Sequence, residues 1–231
     1  MKQDGNVYAI IVAAGRGSRF GADLPKQFCD LDGRPVLMHT VEAFAERIGL
    51  DRILLVIDPS YTEFWRELCR KHGFASPELA AGGSTRSRSV ANAVSRLDCP
   101  CDAIVMVHDG ARPLVSGELI ERMSTLPDGY VGAIPCVPVT DSLRLVEGEL
   151  SSAVDRSRYY AVQTPQTFSA STLRRAYEAD VDDPAITDDA SAVERLGLGL
   201  VAIVPGDPRN IKITNPMDIR IASAISASYR R

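Results

Sequence analysis

Short apolar runs alternate along this chain with segments whose apolar residues recur every three or four positions. Val7-Tyr8-Ala9-Ile10-Ile11-Val12 is continuous, β-branched and bounded by Gly15, which predicts a strand buried on both faces. Leu37, Val41 and Phe44 follow at helical spacing, and Ile53-Leu54-Leu55-Val56-Ile57 predicts a second buried strand. Ser60-Tyr61-Thr62-Glu63 reads as a capping box opening a helix with Phe64, Leu68 and His72 on one stripe. Val90, Val94 and Leu97 mark another helix, Ile104 to Val107 a strand, and Leu119, Ile120 and Met123 a further helix. A strand is expected near Val131 to Val139. From Ser169 the rhythm gives a helix, a second helix capped by Thr187, and strands at Leu200 to Val204 and Ile211 to Thr214. Asn215-Pro216 supplies an N-cap and first-turn proline for a terminal helix.

Alternating strands and helices predict an α/β fold, a Rossmann-like, mostly parallel sheet with helices on both faces. The stretch from about 140 to 166 breaks the rhythm around Glu147-Gly148-Glu149. It reads as a hairpin-like β-arm protruding from the core. No repeat or low-complexity segment divides the chain, so residues 1–231 are expected to form one domain carrying this arm.

Composition adds exclusions. Of 231 residues, 45% are hydrophobic and 24% charged, as in ordinary globular proteins, which argues against disorder. The net charge of −4 argues against nucleic-acid binding by the surface as a whole. No apolar run approaches the roughly 20 residues of a bilayer span, and the N-terminus is a poor signal peptide. The five cysteines are scattered, and Cys99-Pro-Cys101 lacks a second Cys/His pair to complete a zinc site. A soluble cytoplasmic protein with reduced thiols is expected.

Candidate chemistry begins with Ala13-Ala14-Gly15-Arg16-Gly17-Ser18-Arg19-Phe20-Gly21 after the first strand. Glycines there let backbone amides approach an anion. A dinucleotide fingerprint from Gly15 fails because Phe20 stands where glycine is needed, and no Gly-Lys-Ser/Thr completes a P-loop. Arg16, Arg19 and the nearby Lys26 suit a triphosphate, although a tight turn with surface basic residues would look the same. His108-Asp109-Gly110-Ala111-Arg112-Pro113 closes a buried strand, where open α/β sheets bind ligands. Asp109 suits Mg²⁺ and Arg112 a phosphate, or else Asp109 caps a turn and Arg112 pairs with a surface acid. His108 reads as a packed or loop histidine. Asp188 and Asp189 suit a site or, equally, a helix's first turn where its dipole favours acids, and Lys212 either snorkels outward or reaches into a site.

Eight motifs in order carry a resemblance: Ala13-Ala14-Gly15-x-Gly17-x-Arg19; Pro25-Lys26-Gln27; Gly82-Gly83-x-x-Arg86-x-x-Ser89-Val90; His108-Asp109-x-Ala111-Arg112-Pro113; Val154-Asp155-Arg156; Thr164-Pro165-Gln166-x-Phe168; Thr187-Asp188-Asp189-Ala190-Ser191; and Asn210-Ile211-Lys212-Ile213-Thr214. The series resembles the 2-C-methyl-D-erythritol 4-phosphate cytidylyltransferases of the non-mevalonate isoprenoid pathway, over nearly the whole chain. Ribitol-5-phosphate cytidylyltransferases share the first loop, Pro-Lys-Gln and Thr-Pro-Gln-x-Phe. Arg86-x-x-Ser89-Val90, Asp155-Arg156 and Thr187 to Ser191 favour the methylerythritol family. Gly110 replaces a common alanine, and Ser142 stands where threonine is usual.

The resemblance implies CMP transfer from CTP to methylerythritol phosphate. It places the nucleotide on Ala13, Ala14, Gly15, Gly82, Gly83, Ser84 and Ser89, and Mg²⁺ on Asp109. It gives catalytic roles to Arg19, Lys26 and Lys212, with the acceptor on Arg112, Ser142, Arg156 and Thr187. It further implies a homodimer in which the arm completes the partner's site. The alternatives are the ribitol phosphate reaction and a nucleotide-binding module without turnover.

Overall fold

The run Val7–Ala13 forms strand β1 because every residue in it can be covered: Ala9, Ile10 and Ile11 are fully buried. Each isoleucine removed from water there contributes about 1.5–3 kcal/mol. A computed structural model describes residues 6–15, 24–178 and 181–229. After β1 come two short paired strands, β2 (Asp30–Leu31) and β3 (Arg34–Pro35), and helix α1 (Val36–Ile48). Strand β4 (Ile53–Ile57), helix α2 (Thr62–His72), strand β5 (Glu78–Ala81), helix α3 (Arg86–Arg96) and strand β6 (Ile104–Asp109) continue the alternation. Helix α4 (Gly117–Arg122) and strand β7 (Gly132–Pro138) lead to a separate hairpin, β8 (Leu143–Glu147) with β9 (Leu150–Val154). Strands β10 (Tyr160–Val162) and β11 (Gln166–Ser169) return to the main sheet. Helices α5 (Ala170–Glu178) and α6 (Asp189–Arg195), strand β12 (Val201–Pro205) and helix α7 (Pro216–Tyr229) complete the chain.

The sheet runs β5-β4-β1-β6 in parallel, then β11 antiparallel to both β6 and β7. β10 pairs antiparallel with the far end of β7, and β12 runs parallel to β7. Alternation of side chains along β1 divides the core in two. Ala9 and Ile11 face a cluster with Leu37, Val41 and Phe44 of α1, Trp65 of α2 and Leu119 of α4. Ile10 faces the other, with Val90 and Val94 of α3, Leu173 of α5 and Val193 of α6. Helices thus cover both faces, as expected. No helix among the described residues is long and apolar enough to cross a membrane.

Several local expectations are corrected. The Ser60–Glu63 box does not form: Asp58 accepts from the Ser60 amide, and Glu63 pairs with Arg66 and Arg70. The buried stripe of α2 centres on Trp65 and Cys69, next to the expected Phe64 and Leu68. Asp188, not Thr187, caps α6, in a reciprocal box with Ser191. Residues 211–214 are not a strand, since they lie in no ladder. Of the expected arm, residues 140–166, only the β8–β9 hairpin and its roots lie outside the main sheet: Tyr160–Val162 and Gln166 belong to that sheet, and Gln163, Thr164 and Gln166 are buried. The predicted Asn215 cap is present, accepting from the Met217 and Asp218 amides.

Candidate active site

Four parallel strands stop at one level. Val12 aligns with Asp109, Ala13 with Ile57, and Ile57 with Ala81. The loops beyond them therefore meet at the carboxyl edge of the sheet, where such folds hold ligands. The first is gathered by Gln27, a buried residue on a short helical turn, Lys26–Phe28. Its amide donates to the carbonyls of Ala13 (2.7 Å) and Gly15 (3.0 Å), which fixes the start of the glycine-rich loop beside Lys26. In the second loop, the Gly82 amide donates to the Ile57 carbonyl (2.8 Å), and the Gly83 amide to the Ser89 hydroxyl (3.0 Å). A Cβ at Gly82 would stand 2.2 Å from that of Ala14, so the two loops touch only because residue 82 has no side chain. A Cβ at Gly110 would likewise lie 2.9 Å from Leu37 Cδ1, so glycine suits this packing where an alanine is common.

Asp109 is the centre of the edge. Its side chain is 11% exposed and faces three cations. Lys212 Nζ lies 2.8 Å from Oδ2, Arg112 Nε 3.6 Å from the same oxygen, and Arg86 Nε 3.5 Å from Oδ1. Burial alone would raise the Asp109 pKa, but Arg86, Lys212 and Arg112 hold it well below the usual carboxylate range. Lys212 is positioned by its neighbour: Ile213 is fully buried and its amide donates to the Ala111 carbonyl (2.8 Å). Arg112 is buried as well. One of its terminal nitrogens donates to the Asn210 carbonyl (2.8 Å), while its Nε has only the long contact to Asp109.

A buried network behind the carboxylate holds it in place. The Asp109 amide donates to the Thr164 hydroxyl (3.1 Å), which also meets His108 Nδ1 (3.0 Å). Asn210 donates to the Thr164 carbonyl (2.8 Å). His108 is fully buried, with its ring 4.9 Å from that of Phe44, and burial pushes its pKa down to about 3. It is neutral at physiological pH. Its Nε2 faces the Arg112 carbonyl at 3.3 Å, the arrangement of an Nε2–H tautomer with Nδ1 accepting from Thr164. His108 thus packs as expected, enclosed between Phe44 and Thr164. Among the described residues no three His, Cys, Asp or Glu side chains converge. A divalent ion at Asp109 would take one protein carboxylate and complete its shell with phosphate oxygens and water, a donor set that fits Mg²⁺.

A sequence profile of the family described as IspD, 2-C-methyl-D-erythritol 4-phosphate cytidylyltransferase, matches residues 7–228. The chain belongs to the IspD family. A Porphyromonas gingivalis relative named 2-C-methyl-D-erythritol 4-phosphate cytidylyltransferase is 45% identical over 222 residues, 96% of this chain and 98% of its own length. A Bacteroides thetaiotaomicron relative of the same name is 44% identical, covering 94% and 97%. Among solved structures, the 4-diphosphocytidyl-2C-methyl-D-erythritol synthase of Anaerococcus prevotii superposes with a TM-score of 0.80 at 28% identity, over 97% of this chain and 100% of that one. The Thermus thermophilus enzyme gives 0.75 at 33% identity, over 94% and 98%.

The residues that the IspD resemblance singled out fall into three groups. Ala13, Ala14, Gly15, Lys26, Gly82, Gly83, Ser84, Asp109, Arg112 and Lys212 lie along the carboxyl edge or on the loops beyond it. Ser89 lies there too, but its buried hydroxyl is spent between the Gly83 amide and the Thr85 carbonyl, so it shapes the Gly82–Ser84 loop from behind. Ser142, Arg156 and Thr187 are exposed, and Arg156 donates to the Thr140 carbonyl at the arm's root. Neither Ser142 nor Arg156 bonds to the Asp109 cluster among the described residues of the chain. Arg19 lies outside the described residues. Sequence reading missed one pair. Arg86 grips Asp189 with two bonds, 3.1 and 2.7 Å, and Asp189 is completely buried. Arg86 appeared in a quoted motif without a role, and 103 positions separate the partners.

Proposed function

We propose that this enzyme transfers CMP from CTP to the phosphate of 2-C-methyl-D-erythritol 4-phosphate. The products are 4-diphosphocytidyl-2-C-methyl-D-erythritol and pyrophosphate. One observation carries the reading beyond family membership: a single ionised carboxylate, Asp109, ringed by Lys212, Arg112 and Arg86 at the strand ends. Such a group of fixed cations suits a reaction between two anions better than one needing a base.

In the transfer, an oxygen of the acceptor phosphate bonds to the α-phosphorus of CTP as the bond to the β-phosphate oxygen breaks. The nucleophile is already anionic, so no proton need be removed, in keeping with a neutral, buried His108. Catalysis then rests on orientation and on cations placed where charge grows. Lys212 stabilises the five-coordinate α-phosphate, and Lys26 and Arg19 the departing pyrophosphate. Ala13, Ala14 and Gly15 cradle the triphosphate, and the Gly82-Gly83-Ser84 turn receives the cytosine. Asp109 holds Mg²⁺, whose chemistry is to neutralise phosphate charge. Arg112, Ser142 and Thr187 bind the acceptor, with Arg156 supplied by a second copy. A homodimer joined through the arm is supported by Leu145, Val146 and Leu150, which are 55%, 65% and 78% exposed in the single chain. The setting we propose is the cytoplasm.

Pyrophosphate release tests the reading directly. With CTP and Mg²⁺, release is expected with methylerythritol phosphate and not with ribitol 5-phosphate. The reverse preference moves the assignment to the ribitol reaction, and no release with either acceptor makes the protein a nucleotide-binding module.

A further inference from the structure

Asp189 opens α6 with no exposed surface, a costly place for a carboxylate unless it is paired and fully bonded. It is both. Two nitrogens of Arg86 grip its two oxygens, and the buried Tyr177 hydroxyl donates to Oδ1 at 2.5 Å. Burial and the adjacent carboxylate keep that hydroxyl protonated, so it remains a donor. The Arg86 guanidinium is planar, so docking two of its nitrogens on Asp189 fixes the direction of the third. That third nitrogen, Nε, points at Asp109 Oδ1 from 3.5 Å, longer than a good hydrogen bond. Lys212 meanwhile contacts the other oxygen at 2.8 Å. Without the charge on Asp189, Asp109 would be the carboxylate next to Arg86. The fork would then close on it, covering Oδ1 and competing with Lys212 for Oδ2.

We propose that Asp189, seated by Tyr177, is a positioning residue for the transfer reaction, holding Arg86 at a standoff so that its fork does not close over Asp109 Oδ1. The proposal rests on the cytidylyl-transfer reading above. It makes the effect of Asp189 depend wholly on Arg86, and it places the loss in the chemical step rather than in nucleotide binding.

The test measures steady-state pyrophosphate release by the full chain and by Asp189→Asn, Tyr177→Phe, Arg86→Gln and the Arg86→Gln/Asp189→Asn pair, with thermal melts of each. Asp189→Asn is expected to lower kcat about 10- to 100-fold, the range for partners that orient a ligand-bearing group. The KM for CTP should stay within about twofold, the sign of a contact that acts on the transition state. Tyr177→Phe, which keeps both Arg86 bonds, should shift kcat in the same direction by a smaller factor. In the Arg86→Gln background Asp189→Asn should add no further loss, since nothing remains for it to hold. If Asp189→Asn does not fold, Tyr177→Phe and the charge-neutral pair decide. Additive losses in the pair, or a raised KM with kcat intact, overturn the proposal. A wild-type chain that releases no pyrophosphate overturns the functional reading instead, so the two failures are distinct.

Discussion

Replacing Gly82 with alanine tests whether the two loops that follow β1 and β5 are shaped against each other. The new Cβ would stand 2.2 Å from that of Ala14 and 3.4 Å from the Ile57 carbonyl oxygen. Two methyl-sized groups need about 4 Å, so one loop must retreat by roughly 2 Å. Neither can do so freely, because Gln27 ties the Ala13 and Gly15 carbonyls and the Gly82 amide is bonded to Ile57. Overpacking of this kind costs about 1–3 kcal/mol. For a chain of this size that corresponds to a drop in Tm of roughly 4–8 °C at the middle of the range. A loop displaced by about 1 Å costs on the order of 100-fold in turnover. The assay pairs a thermal melt with pyrophosphate release for Gly82→Ala, Ala14→Gly and the double variant. Ala14→Gly removes the opposing methyl, so the double variant should recover most of both losses. Wild-type behaviour of Gly82→Ala, or a double variant worse than either single change, would refute the contact.

Stability should fall on mild acidification. His108 is pushed down to about 3 by burial, against about 6.5 in an unfolded chain. Between those values the unfolded chain binds a proton that the folded chain refuses, so stability rises with pH across the window. Going from pH 7 to pH 5 should cost about 2 kcal/mol in urea unfolding, and His108→Gln should remove that slope. A slope that survives the substitution assigns it to other groups. Lys26→Ala and Lys212→Ala should each lower turnover about 100- to 1000-fold, the scale for removing one stabiliser of transition-state charge. Normal CTP turnover by Lys26→Ala would take it off the leaving-group side. Light scattering should give twice the mass of one chain, and Leu150→Glu should shift the protein to a less active monomer. A fully active monomeric wild type would sink the shared-site reading.

What the sequence conveyed, and what it withheld, follows from the range of each signal. Strands β1 and β4, and Ile104 to Val107 of β6, were readable because burial on both faces keeps those runs apolar. The Asp109 site was readable because the strand's end is marked by an abrupt change to charge. Ile211 to Thr214 misled because any extended segment with one face on the core shows the same period of two. Ile213 is buried and Lys212 turns to Asp109, yet no strand among the described residues pairs with this segment. Thr187 and Asp188 are both good caps, and only the position of Ser191 selects the second. Asp189 looked like a first-turn acid favoured by the helix dipole. Its true environment comes from α3 and α5, and no local pattern encodes a partner 103 residues away.

The route of the chain through the arm limits how this protein can be rebuilt. It leaves the sheet from β7 and comes back against the same strand as β10. Only two residues after Val162, Thr164 holds the amide of Asp109 and a nitrogen of His108. A chimera that borrows a relative's arm should therefore be joined just before Leu143 and just after Tyr159. The turn at Gly148, at the far end of the hairpin, is the place for an inserted tag. A junction placed inside residues 160–166 would instead graft foreign geometry onto the seat of the Asp109 carboxylate.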